Sequence, residues 1–476
     1  MTWNRREVLA ALGVASAQAM LACGAPAQSV RRRGEVNPEI RTWLREAVAT
    51  LAGAGLERPH VLAVTRRRTA AGLDVLGTGV VRGACDGVVL SVRERGSERR
   101  EQVTSELTRA GIQAATRVLA GKAKSKSIDF GFMPPIPVPP KPDPETMTDN
   151  ALLERVVAMA GRDRVTSSRI VYSSAVIEID DAHVWSIRPG RDVEQRLVRV
   201  RKSVTRVAWN GTRPIVSEAM RAWAGGVDEQ ELAEAELIAA REGALTLMTP
   251  RAFEDGEHAF VLAPEVAASM IDVAVQSLLT PAAARRPEVA KRLAGSISVA
   301  PALTLVDDPT APGAYGGFRF DDEGEAAAPV KLVEQGRIVG RLDKGRALRP
   351  GHVGALERGA SHLRLAPGTA DADTLTDDGF ILEGPLGTVV DPSSDRIVIA
   401  VARARERKGG HLTGRMFADV ELVGELAKTL AAVSAVSRQV KQIGLRDEID
   451  GQPRWRSIET PWLLGRGVVR ARRRTS

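Results

Sequence analysis

Six histidines and two cysteines are the strongest donors this chain has for metal or nucleophilic chemistry. His60, His183, His258, His352, His362 and His411 are scattered, and no two lie within five residues of each other. No helical turn therefore carries the paired imidazoles that chelate a zinc ion. Cys23 and Cys85 cannot form a Cys-x-x-Cys pair or a disulfide framework. Cys85, in Arg82-Gly83-Ala84-Cys85-Asp86 beside an apolar run, reads as a buried small hydrophobe. Serine, histidine and aspartate are all present, but no Gly-x-Ser-x-Gly elbow assembles them into a triad. The one dense acidic run, Asp321-Asp322-Glu323-Gly324, could serve a metal or acid–base chemistry. Its composition fits a turn better: glycine permits the reversal, and carboxylates accept the backbone amides around it.

The N-terminus carries a second kind of information. Arg5 and Arg6 precede the uncharged stretch Val8 to Ala22, which is too short for a bilayer-spanning helix and suited to the hydrophobic part of a signal peptide. The arginine pair is similar to a twin-arginine export signal. Met20-Leu21-Ala22-Cys23-Gly24 resembles a lipoprotein-processing site, with Cys23 as the acylated residue. The expected location is the periplasm or the membrane surface, with attachment through Cys23; the alternative is an amphipathic N-terminal helix on a cytoplasmic protein.

The net charge of +8 sits largely in two flanks, Arg31-Arg32-Arg33 and the arginines at 466, 470, 472, 473 and 474. The body between them is close to neutral, which argues against a nucleic-acid partner. With 476 residues, 43% hydrophobic and 26% charged, the chain has the makeup of a soluble protein of two or three domains.

The elements follow from periodicity. Asn37-Pro38 starts a helix whose apolar residues run from Ile40 to Leu51. His60–Val64 and Gly87–Val92 read as strands closed by charged turns, and 97–120 as one long helix. The prolines of 132–144 forbid a helix or central strand and form a strap. A helix at Asn150–Ala160 leads to a meander at 169–179 and 184–207, broken at Arg188-Pro189-Gly190 and Trp209-Asn210-Gly211, and Asp228–Glu242 is helical. The expected organisation is a signal at 1–22, a basic linker at 23–36, an α/β N-terminal region at 37–250, a second domain at 251–465, and a basic tail at 466–476.

The second half carries a series of blocks in order. They are His258–Pro264, Thr304–Pro309, Gly316–Gly324, Lys331–Gly340, Ser361–Gly368, Asp378–Gly384, Val389–Pro392, Asp450-Gly451-Gln452 and Thr460–Leu463. Together they resemble the TldD/PmbA family of peptidase-related proteins. The resemblance implies an α+β fold, with an α/β N-terminal domain and a β-rich C-terminal domain of long antiparallel strands. Active members carry His-Glu-x-x-x-His after the Val-Leu-x-Pro strand, and a cysteine before the late Asp-Gly-Gln. Here those positions hold Asp272, Val273 and Ser277, and Asp447. No ligand set for zinc remains, and Val273 cannot act as a base. Asp272 and Asp447, if they converged, would suit Mg²⁺ or Ca²⁺ better; the simpler reading of Asp272 is a polar residue lining an emptied cavity. The resemblance implies a catalytically silent, TldE-like subunit with no cofactor of its own. Its expected partners are a zinc-bearing TldD-type subunit and an unfolded peptide substrate. The alternatives are an active metallopeptidase or other hydrolase with an unrecognised site, and a stand-alone envelope binding lipoprotein.

Overall fold

The computed structural model describes residues 37–472 apart from 75–76, 94–98, 134–142, 163–166, 168, 211–213, 247–251, 281–282, 284, 290–297, 343–359, 392 and 450–451. The export signal with Arg5 and Arg6, Cys23, the linker, most of the proline strap, His352 and the Asp450-Gly451 pair lie outside the described residues.

Helix α1 (Ile40–Gly53) begins where Asn37 Oδ1 accepts the Glu39 amide at 2.9 Å, and buries Ile40, Leu44, Ala47, Val48 and Leu51. Two long strands follow, β1 (Glu57–Asp74) and β2 (Gly77–Arg93). They run well beyond the short strands expected at 60–64 and 87–92. Arg66-Arg67-Arg68 is not a turn: alternation sends Arg66 and Arg68 to Asp180 on one face and Arg67 to Asp86, so charge continues the strand. Cys85 is half-buried on β2 rather than buried.

The helix expected over 97–120 divides in two. Arg99–Thr104 forms β3 on the free edge of β2, and only Arg109–Ala120 is helical (α2). Thr108 makes the boundary by accepting the Gly111 amide at 3.1 Å. Thr148 caps α3 (Asp149–Gly161) in the same way. A meander follows: β4 (Ile170–Arg188), β5 (Arg191–Trp209) and β6 (Pro214–Ala224), with Gly190 at φ +76° in the first turn. Helix α4 (Glu234–Thr246) starts later than Asp228, because Asp228 is held by Arg155 and Glu229 by the Gly226 amide. Glu236 then reaches back to the Ala233 amide at 2.9 Å and sets the start.

The first sheet has the order β3-β2-β1-β4-β5-β6, antiparallel throughout. One face is covered by helices: α1 and α2 pack on Val61, Ala63, Val88, Leu90 and Trp185, and α3 and α4 on Ile177, Ile179, Val200 and Trp223. The other face carries the alternate residues of β1, β4 and β5, including Leu62, Val64, Arg66 and Arg199, and meets the second half of the chain.

That half begins with β7 (Gly256–Leu262) and helix α5 (Pro264–Leu278), with Pro264 at the first helical position. Short strands β8 (Leu305–Asp307), β9 (Val330–Glu334), β10 (Arg337–Ile338) and β11 (His362–Leu365) lie to one side. Long strands β12 (Gly379–Val390), β13 (Arg396–Lys408) and β14 (His411–Glu425) form an antiparallel run, followed by the short helix α6 (Leu426–Ala431). The final hairpin is β15 (Ala435–Ile449) and β16 (Gln452–Ala471). Strand β16 pairs with both β14 and β7, and β7 pairs with β12, so these strands close into a ring. Val266, Met270, Ile271 and Val275 of α5 join Leu382, Val401, Ile458 and Leu463 in the core there. The fold is α+β. The basic tail expected from 466 begins later, because Arg470 sits within β16 and pairs with Glu421.

Candidate functional site

Three places hold the residues singled out by type or position, and a fourth emerges only in three dimensions. The first is α5. Asp272, Val273 and Ser277 share its half-buried stripe. The Asp272 carboxylate forms an ion pair with the Arg456 guanidinium of β16; their side chains are 14% and 8% exposed. Asp447 lies on β15 opposite Arg454, two residues from the Leu445–Arg456 pair. The three positions on α5 do not fit zinc: they offer one carboxylate already engaged by a cation, an aliphatic side chain and a hydroxyl. Among the described residues no cluster of three metal-binding side chains occurs.

The second place is the acidic run. Asp321 Oδ1 accepts the amides of Glu323 and Glu325 at 3.0 and 2.9 Å, and Gly324 turns the chain at φ +76°. The turn docks on the first sheet. Ser186 Oγ donates to the Asp322 carbonyl at 3.0 Å, Arg191 to the Gly324 carbonyl at 3.0 Å, and Glu325 pairs with Arg188 and Arg191.

The third place comprises two buried histidine–serine pairs. His362 Nδ1 lies 2.7 Å from Ser457 Oγ, and Asp307 accepts both the Ser361 hydroxyl and the His362 amide. His60 Nε2 lies 2.9 Å from Ser186 Oγ. Burial, reinforced by Arg364 and opposed by Asp308, lowers His362 to about 4. Burial and the nearby Arg99 and Arg188 lower His60 to about 3. Asp307 accepts from the Ser361 hydroxyl and from backbone amides, and His362, Ser361 and Ser457 are sealed from solvent. These groups hold the β11–β16 seam together.

The fourth place is a cleft between the two halves, lined by Arg68, Glu178, Asp180, Arg199, Tyr315, Arg446 and Trp455 with small apolar neighbours. The indole of Trp455 has the guanidinium carbons of Arg66, Arg199 and Arg68 at 4.6, 4.7 and 5.8 Å from its centre. Arg68 Nε donates to Asp180 at 3.1 Å, and Arg446 faces Glu178 at 3.6 Å. Arg199 differs: it is 2% exposed and bonds only to the carbonyls of Tyr315 and Gly317, at 2.8 and 3.3 Å. Burial lowers it to about 10, with the Asp180 charge opposing and Arg66 reinforcing. Burial likewise raises the Tyr315 phenol to about 12. Sequence reasoning missed Arg199, Tyr315, Trp455 and Arg456. The available signal was Arg454-Trp455-Arg456, an aromatic between two cations in a strand, whose neighbours must face opposite sides.

Residues 255–469 match the model of the PmbA/TldA metallopeptidase C-terminal domain. A metalloprotease of Methanocaldococcus jannaschii is 26% identical over 217 residues, covering 42% of this chain and 48% of that protein. The chain thus spans about half the length of that curated relative. The fold as a whole is similar to that of a candidate modulator of DNA gyrase from Bacteroides thetaiotaomicron (TM-score 0.72, 15% identity, 92% of this chain and 100% of that one). It is also similar to TldE from Thermococcus kodakarensis (TM-score 0.70, 14% identity, 89% and 99%). The likeness to the solved structures speaks to the fold alone, whereas the sequence match and the ordered motifs agree on the second half: the C-terminal half of this chain belongs to the TldD/PmbA family of peptidase-related proteins.

Proposed function

We propose that this chain is a non-catalytic, TldE-like subunit of a metallopeptidase complex that acts on unfolded peptides. The observation that carries the reading is the Asp272–Arg456 ion pair. A guanidinium engages the carboxylate that stands at a ligand position of the active relatives, so the helix keeps its packing role without a metal's chemistry. The zinc would belong to a TldD-type partner, and this chain would complete the chamber wall. An extended substrate strand could add to an unpaired sheet edge; β3 ends the first sheet as such an edge. The twin-arginine pair Arg5–Arg6 and Cys23 support export and attachment to a membrane surface, and the near-neutral body supports no nucleic-acid role. Among the described residues no helix is long and apolar enough to cross a membrane.

The test is reconstitution. The chain alone is expected to hold no stoichiometric zinc by elemental analysis and to cleave no unfolded peptide. Mixed with a zinc-bearing relative from the same cell, it should co-elute and enhance cleavage. About one zinc per chain, or a relative that cleaves equally well alone and elutes separately, would overturn the reading. Replacing Arg5 and Arg6 by lysine should hold precursor in the cytoplasm, and Cys23→Ala should release the protein from membranes.

A further inference from the structure

The cleft between the two sheets contains a cation with no counterion. Buried guanidinium groups are ordinarily matched by carboxylates, because an unpaired charge in a low-dielectric site is costly. In this cleft Arg66 and Arg68 share Asp180, and Arg446 and Arg201 share Glu178. Among the described residues no carboxylate lies within ion-pair distance of Arg199, and its Nη1 has no hydrogen-bond partner although it lines the cleft. Nη2 of Arg68, another residue of the lining, is likewise buried without a hydrogen-bond partner. Two guanidinium N–H groups, on β1 and β5 to either side of β4, are thus unpaired where the two halves of the chain meet.

The geometry points to a binding site for a single carboxylate group, held by Arg199 Nη1 and Arg68 Nη2 beside the ring of Trp455. Two arguments select a carboxylate among anions. Guanidinium groups outnumber carboxylates here, because Arg66 and Arg68 share Asp180, Arg201 and Arg446 share Glu178, and Arg199 pairs with neither, so the site takes an anion. The cavity is about 40 Å³, where one water needs about 10–15 Å³ on the same scale. A carboxylate, with three heavy atoms, fits that room. Finally, Ala70, Val81 and Ile179 line the same cleft, with the rings of Trp455 and Tyr315. They suit the short apolar stem that carries a carboxyl group in a peptide or small organic acid, and guanidinium donors fit carboxylate oxygens in charge and direction.

The site belongs to this chain alone, so its test is independent of any partner subunit. Calorimetric titration of the full chain would compare an N-acetylated alanine peptide ending in a free carboxylate, the same peptide as its C-terminal amide, and an amidated peptide with one internal aspartate. One site per chain is expected for the free acid, with the amide at least about tenfold weaker. Binding by the aspartate peptide would assign the site to any peptide carboxylate, and its failure would restrict it to chain ends; either outcome supports the site. Arg68→Gln, partly exposed and not needed for the core, should weaken the acid about tenfold with an unchanged unfolding midpoint. Arg199→Met should weaken the acid about tenfold as well, at a lowered unfolding midpoint, and if that variant fails to fold the Arg68 variant decides. Equal binding of acid and amide, or no binding at millimolar peptide, would overturn the proposal. So would inorganic phosphate displacing the acid at lower concentration than acetate does.

Discussion

The two faces of the β15–β16 hairpin place guanidinium groups in opposite electrostatic settings. On one side Arg456 closes on Asp272 of α5. On the other side, one residue away, Trp455 meets Arg66 and Arg199, and Arg199 has only backbone carbonyls for partners. The first face is electrostatically complete within the chain. The second is not. A single cation–carboxylate pair balances the charge between α5 and β16, whereas the pairs around Trp455 leave Arg199 over. A recognisable centre with its charge closed is therefore a poor place to look for binding, and an unremarked cleft with its charge open is a better one.

The largest effect is expected from opening the closed face. Arg456→Ala leaves the Asp272 carboxylate without its cation, at a cost of about 3–5 kcal/mol. The double variant Asp272→Leu with Arg456→Met replaces the pair by apolar groups and should recover most of that loss. Urea unfolding midpoints would measure both; an Arg456→Ala protein as stable as the parent would show that the pair does not hold α5 to β16.

Next in size is a pH dependence at the seam beside the hairpin. His362, bonded to Ser457 next to Arg456, is neutral in the fold and titrates at about 4 against an ordinary value of 6.5. The unfolded chain therefore binds the extra proton first. Stability is fully present above about pH 6.5 and is lost as pH falls towards 4, by about 3 kcal/mol from this group. His60, lowered to about 3, acts in the same direction. His362→Asn should flatten the slope of unfolding midpoint against pH between these limits without abolishing it. An unchanged slope would remove His362 from the account.

A smaller effect is expected on the open face. Arg199→Met forfeits two hydrogen bonds to carbonyls and a stacking contact, but orphans no carboxylate. Its cost should be about 1–2 kcal/mol, below that of Arg456→Ala. Equal costs at the two sites would mean that Arg199 is a structural cation like Arg456, and the contrast between the faces would disappear.

Much of the fold was legible, for local reasons. Pro264 after Val-Leu-Ala starts α5, and Pro189-Gly190 turns β4 into β5, because each depends on backbone preferences a few residues long. What failed was non-local. Arg66-Arg67-Arg68 reads as a charged turn until Asp180, over a hundred residues away, supplies the counterion that lets β1 continue. Ser97 to Ala120 has helical spacing, yet its first part is claimed by the free edge of β2. The site divides the same way. Asp272 could be singled out from position, but Arg456 lies 184 residues from it. The cleft residues come from six strands and a loop, which no spacing rule gathers.

The smallest effect tests the contrast inside the acidic run. Asp321 and Glu323 look alike in sequence, and an acid–base role would make both matter to chemistry. The structure separates them by what they hold. Asp321 is buried, and its Oδ1 accepts two backbone amides that have no other partner when it is lost. Glu323 is 39% exposed and faces Arg99 at 4.0 Å, the limit of an ion pair. Exposed pairs of this kind contribute about 0–1 kcal/mol because water already solvates both charges. Glu323→Gln is therefore expected to shift stability by no more than about 0.5 kcal/mol, with reconstituted peptidase activity unchanged. Asp321→Ala should cost about 1–3 kcal/mol by stranding those amides. Unfolding midpoints and the reconstituted assay would decide. Loss of activity in Glu323→Gln at unchanged stability would restore a chemical role to the run, and the turn that docks the second half on the first sheet would have to be read as part of a site.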